Sequence, residues 1–432
     1  MKHKSVFLSS LILPGSGHIL LKRWGIGIGG ILLFLMEILT IVQFIIPTFS
    51  LLAVKQPNGS ITIGAEPYVN DSFIILLGAV VGTILLVVFA LIHYTFALNA
   101  RKMAREIAEF GKAVSIKESF KAVSGELMPN LVTLPKFLLI ITFIIIPSIL
   151  SIIVAFTNYR MPILPPAFLI EWRGLENFAR LFTDDRMSAL FRDTLSWTVV
   201  WTFSSSILVI ALGTILAVIA NNKYIKGKTF FRTVFILPWA VPAFLTILIF
   251  QYFFSKLGGM NSIVLPFLTG QAYDMDRAIG FLIVPELAKI TIILIQGWLG
   301  FPYVFILVTG VLQTIPADLY EASSIDGGNA FTNFFQITLP LILISVAPVF
   351  ITQFTFNFNN VVIIYMLTES VVKPIGAEYG PLETIASLGF QLMMKSRFNE
   401  AAVFTLIVST IVGVIVLFSW LKTGAFKNEE VM

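Results

Sequence analysis

The sequence contains no cysteine and only three histidines, His3, His18 and His93. Disulfides, thiolate catalysis and cysteine-ligated metals are excluded, and no His/Asp/Glu constellation offers metal ligands or an acid–base pair. Charge is also scarce. Only 12% of the 432 residues are charged and 57% are hydrophobic, whereas soluble domains carry about 25% charged and about 45–50% apolar residues. What stands in their place is a series of apolar runs of twenty or more residues, with a mean hydropathy of +0.91. A helix needs about 20 such residues to cross the hydrocarbon core of a bilayer. These features predict an all-α, polytopic membrane protein. The net charge of +5 does not point to nucleic acid, because the basic residues fall in short loops between the runs, where they orient a membrane protein.

Eight spans are expected, at roughly 24–47, 71–98, 135–158, 194–220, 231–254, 287–312, 339–367 and 401–421. With the N-terminus in the cytoplasm, the cytoplasmic side holds 17 Lys and Arg against 12 outside, and 9 Asp and Glu against 14. That bias predicts a multi-pass protein of the cytoplasmic (inner) membrane with both termini inside. The weak point is the external stretch 159–193, where five arginines, including Arg180 and Arg186, are matched by five acids. Residues 1–23 begin like a secretory signal. No small-x-small site follows, however, and Pro14-Gly15-Ser16-Gly17-His18 breaks the run, so an interfacial or re-entrant helix is expected instead. Three regions follow: an N-terminal two-span module (1–98), a cytoplasmic amphipathic linker (99–134) with Met103, Ile107, Phe110, Val114 and Phe120 at helical spacing, and a six-span core (135–432).

The cytoplasmic loop 313–338 carries no Lys or Arg on the side where they normally accumulate. Pro316 followed by Asp318 and Glu321 marks a helix start, and Gly327-Gly328 marks a stop or hinge. A short helix, a bend and a second short helix are expected. Ala322, Ser323 and Ser324 permit close approach, while Glu321 and Asp326 offer charge to a basic partner.

Polar residues inside spans usually face a cavity or another helix. Span seven places Gln353, Asn357 and Asn360 at i, i+4 and i+7; span six repeats that register with Gln296, Gly300 and Tyr303. Amides that donate and accept, an aromatic face and a glycine suit an uncharged carbohydrate. The same amides would serve equally as hydrogen bonds between helices. Glu37 in the first span and His93 in the second fit either a structural pair or a proton-coupling site. Proline in the spans, including Pro147, Pro238, Pro242 and Pro348, suits kinks and helix packing.

Glu321-Ala322-Ser323, three residues, Gly327, nine residues and then Ile337-x-Leu339-Pro340 resembles the EAA loop of permeases in binding-protein-dependent ATP-binding-cassette importers. The one departure is serine at the third position of the triplet. Gly297-Trp298-Leu299-Gly300-x-Pro302-Tyr303 and Phe356-Asn357-Phe358-Asn359-Asn360 are similar to segments of the maltose and maltodextrin permeases. The resemblance implies a type I importer core of six helices plus the N-terminal pair. It implies sugar contact midway through the membrane by Gly300, Tyr303, Asn357 and Asn360, to which the helical register adds Gln296 and Gln353. It further implies a coupling helix with Glu321, Ala322, Ser323, Asp326 and Gly327 at its ATPase contact. The match covers the core well and the N-terminal module poorly. The large extracytoplasmic domain of some maltose permeases has no counterpart in the short stretch 159–193.

The nearest approach to a phosphate loop, Gly227-Lys228-Thr229, has Asn222 where that pattern requires glycine. No cofactor is expected on this chain, and ATP and Mg are assigned to partner subunits. The implied partners are a second homologous permease, two cytoplasmic ATPase subunits, an extracytoplasmic sugar-binding protein, a maltodextrin-like oligosaccharide and the lipid membrane. The rivals are an ion-coupled secondary sugar transporter, dependent on Glu37 or His93, and a membrane scaffold that transports nothing.

Overall fold

Apolar runs longer than a bilayer is thick become long helices, because in lipid every backbone polar group must be satisfied within its own segment. The computed structural model describes residues 3–53, 72–111, 133, 135–165, 168–222, 225–368 and 378–423. Among these, seven helices are long and apolar enough to span a membrane, and one bent pair makes an eighth. This agrees with the eight expected spans.

The chain separates into two compact units, Met1–Gly174 and Leu175–Met432. In the first, α1 (His3–Ile12), α2 (Ser16–Leu20), α3 (Trp24–Thr40, prolonged through Ala53) and α4 (Ser72–Phe110) precede the third span, α5 (Pro135–Ala155). The N-terminal stretch is a helix as expected. Val6 of α1 packs against Ala100 and Ala104 of α4. Glu37 and His93 meet at 3.2 Å, and the other ring nitrogen of His93 lies 3.1 Å from the Ser10 carbonyl. The intramembrane acid thus has a partner within its own unit. The expected module boundary at residue 98 falls inside α4, which runs unbroken to Phe110. Residues 112–132 and 134 of the proposed linker, with Val114 and Phe120, lie outside the described residues.

The second unit holds α6 (Glu176–Thr183), α7 (Asp185–Asn221), α8 (Lys228–Ile236), α9 (Ala243–Phe253), α10 (Pro285–Thr314), α11 (Ala317–Ile325), α12 (Leu339–Phe358), α13 (Val362–Thr368), α14 (Ile385–Met394) and α15 (Phe398–Thr423). Asp184 starts α7 by accepting from the backbone N–H groups of Arg186 and Met187 at 3.0 and 3.2 Å. Helices α7 and α10 lie side by side in parallel. Lys289 sits over the Trp197 ring at one end, and Asn221 donates to Thr309 at the other. Glycines permit the close approach: a Cβ on Gly213 would stand 2.6 Å from Val304, and one on Gly300 would stand 2.6 Å from Val209.

Proline shapes the spans in two ways. Four π-helical turns, Ile41–Ile45, Ile141–Ile145, Met260–Val264 and Asn333–Thr338, each end two residues before a proline. A proline lacks the N–H and crowds the carbonyl four residues back, and a widened turn relieves both defects. Between Pro238 and Pro242 the response is larger, and the fifth span bends by 92°. Pro348 stays within α12.

Candidate functional site

The bend at Pro238–Pro242 opens a cavity of about 1160 Å³ between α9, α10, α12 and α15. Gln296, Gly300 and Tyr303 share its wall, as their spacing on α10 requires. Gln353 and Asn360 also line it. Asn357 does not. It is wholly buried, its amide nitrogen donating to Ser206 Oγ at 2.9 Å and its Oδ1 accepting from Gln296 Nε2 at 3.0 Å. Trp201 Nε1 donates to its backbone carbonyl at 2.9 Å. Asn360 Nδ2 then donates to Gln296 Oε1 at 3.3 Å, which closes a chain of amides from Ser206 to the cavity.

The expected continuous face on span seven is therefore interrupted. Helix α12 ends at Phe358 and α13 begins at Val362, so Asn360 lies in the turn between them. Asn359 donates its side chain back to the Thr355 carbonyl at 3.0 Å, the local competition through which asparagine ends helices. Gly300 also differs from expectation, because its missing Cβ would meet Val209 of α7. Its lack of a side chain serves helix packing, and it borders the cavity with backbone.

Trp239 went unnoticed in the sequence. The bend brings its ring onto that of Tyr303, with centroids 5.6 Å apart and planes inclined by 27°. A tryptophan between two prolines four residues apart was the available signal. The wall thus pairs an aromatic stack with four amide residues, Gln296, Gln353, Asn359 and Asn360, and none of its lining residues is charged. Gln353 makes no side-chain hydrogen bond to any described residue, so its amide is uncommitted.

The loop after α10 folds as expected in its first half. Pro316 precedes α11, and Gly327, at φ +81°, stops it. The second short helix is not separate but continues through the π turn at Asn333–Thr338 into α12. Glu321, Ala322, Asp326 and Gly327 are exposed, and no residue of α11 is buried. Ser323, the departure from the triplet, donates its hydroxyl to Asn333 Oδ1 and ties α11 to the start of the next span. Among the described residues no group of three or more His, Cys, Asp or Glu is placed to hold a metal ion.

Residues 209–423 match the family described as binding-protein-dependent transport system inner membrane component. Over 431 residues the chain is 38% identical to the galactooligosaccharides transport system permease protein GanP of Bacillus subtilis, covering 99% of this chain and 100% of that one. The chain belongs to this permease family. It is also 37% identical over 434 residues to the maltodextrin transport system permease protein MalC of Streptococcus pneumoniae, covering 99% of this chain and 97% of that one. The maltose/maltodextrin permease MalF of Salmonella typhimurium matches over 264 residues, 59% of this chain and 50% of its own length, at 36% identity. The alignments to GanP and MalC thus extend over the N-terminal region that the sequence motifs left unmatched. A bacterial ABC transporter involved in import of the acidic polysaccharide alginate has the same fold, with a TM-score of 0.58 at 19% identity over 71% of this chain and 98% of that one. Membership of this family leaves the ion-coupled and scaffold alternatives without support.

Proposed function

We propose that this permease forms, with a second homologous subunit, the membrane pathway of an importer for maltodextrin-like oligosaccharides. The carrying observation is connectivity. The two helices that carry Gln296, Gly300, Tyr303 and Gln353 to the cavity, α10 and α12, are the two joined by the exposed coupling loop. Gln296 stands 18 residues from Thr314, so the cavity lies about 27 Å along α10 from the loop. A displacement of α11 pulls directly on both cavity walls.

An uncharged, amide-lined cavity with an aromatic stack fits a neutral sugar: the rings of Trp239 and Tyr303 take the apolar face of a pyranose, while Gln353 and Asn360 take its hydroxyls. Glu321, Ala322 and Asp326 present α11 to an ATPase subunit, with Gly327 as its hinge. ATP and Mg act on two such subunits, and their closure moves the coupling helices. Binding energy becomes transport only because the loop makes different contacts in the two states. An extracytoplasmic binding protein delivers the sugar, and both termini lie in the cytoplasm of a cell with this chain in its inner membrane.

The test is uptake of labelled maltodextrin by the reconstituted system, competed with galactooligosaccharide, for the unmodified chain and for Gln353→Leu. The reading expects maltodextrin uptake that requires the binding protein, and direct binding of maltodextrin to the solubilised complex whose half-saturating sugar concentration rises about tenfold in the variant, the equivalent of one lost hydrogen bond to a buried polar group. Uptake of galactooligosaccharide alone would reassign the sugar, and an unchanged half-saturation would remove Gln353 from the site.

A further inference from the structure

A second cavity, of about 350 Å³, opens at the start of α7 and is bordered by Arg180, Asp184, Arg186, Glu378, Tyr379 and Arg397. Because α7 and α10 run parallel and α11 follows the far end of α10, this cavity lies at the end of the unit opposite the coupling loop. If the loop meets the ATPase, this end faces outward. The neutral sugar has no use for its charge.

Most of that charge is already committed. Glu378 is held by Lys395 and Arg397, each at 3.1 Å. Arg397 also pairs with Glu400 and donates to the Tyr379 hydroxyl at 3.2 Å. Asp184 is engaged as the cap of α7. Two groups remain: the guanidinium groups of Arg180 and Arg186 make no ion pair or side-chain hydrogen bond with any described residue. The matching of arginines to acids in this stretch of sequence is therefore incomplete in the fold. Two residues after Arg180 on the same helix, Phe182 is 76% exposed.

We propose that this cavity is the socket in which the permease receives acidic side chains of the extracytoplasmic sugar-binding protein, a proposal that rests on the importer reading above. Its volume suits one or two side chains rather than a sugar chain. Arginine is the residue best shaped for a bidentate carboxylate contact, and the exposed Phe182 on the helix that carries Arg180 adds aromatic surface of the kind enriched at interfaces. The rim carboxylates are already engaged, Glu378 by Lys395 and Arg397 and Asp184 by backbone N–H groups, so the charge left open to a carboxylate partner is that of the two arginines. Complementary charge at such a site raises the rate of encounter and makes it sensitive to salt.

The experiment measures ATPase stimulation of the reconstituted full complex by purified, maltodextrin-loaded binding protein, titrated at low and high salt. It compares the unmodified chain with Arg180→Glu/Arg186→Glu and with Arg180→Lys/Arg186→Lys. Charge reversal is expected to raise the half-maximal binding-protein concentration at least tenfold at low salt, with basal and maximal rates and complex assembly unchanged; the lysine pair recovers most of the loss. An unchanged half-maximal concentration overturns the proposal. So does a shift that vanishes when anionic lipid is left out of the vesicles, because the arginines then serve headgroups. Failure of the loaded binding protein to stimulate even the unmodified complex overturns the importer reading itself.

Discussion

Two amides a turn apart on α12 differ in role because only one is committed. Asn357 bridges Gln296 and Ser206 within the protein, so Asn357→Ala strands two buried partners. A stability loss of about 1–3 kcal/mol is expected, read as a lower unfolding midpoint of the solubilised protein. Gln353→Ala strands none and leaves that midpoint in place. At the end of the unit opposite the loop, burial pushes the Glu378 carboxyl up, but the hydrogen bond from Lys395 and the charges of Arg397 and Lys395 outweigh it and hold the group below its ordinary value of 4.5. A depressed carboxylate contributes stability that is full above its unfolded pKa and lost as pH falls through the folded one. Thermal unfolding followed from pH 7 to pH 3 should therefore show a steeper acid decline in the unmodified protein than in Glu378→Gln. Equal slopes would mean that the ion pairs contribute nothing.

At the scale of the helix, the spans were legible because apolar length alone specifies them, and so was the shared face of Gln296, Gly300 and Tyr303, which depends only on helical period. What was hidden depends on where a helix stops. The turn at Asn359–Val361 takes Asn360 off the periodicity that linked it to Gln353, and the 92° bend brings Trp239 to Tyr303. Neither event follows from spacing, since each is decided by how neighbouring helices satisfy a broken ladder. Packing was hidden for the same reason. Gly213 carries no motif, yet it sets the distance between α7 and α10, and Gly213→Val would drive a branched side chain into Val304. Overpacking of this kind costs about 1–3 kcal/mol. A lowered unfolding midpoint with sugar half-saturation preserved is the expected result.

Across the whole molecule, the first half of the loop after α10 was legible, with its helix at Ala317–Ile325 and its stop at Gly327 where expected, whereas the second short helix runs on into α12. The grouping of the third span with the N-terminal helices was not legible, since hydropathy says nothing about which spans pack together. The account rests on one arrangement, a cavity whose two principal walls are joined by the loop proposed to meet the ATPase. The most direct test is Glu321→Lys in the assembled system, with membrane insertion confirmed and both ATPase co-purification and maltodextrin uptake measured. The account predicts that the variant inserts normally and loses both. Uptake that persists at the unmodified rate with the ATPase no longer bound would contradict it.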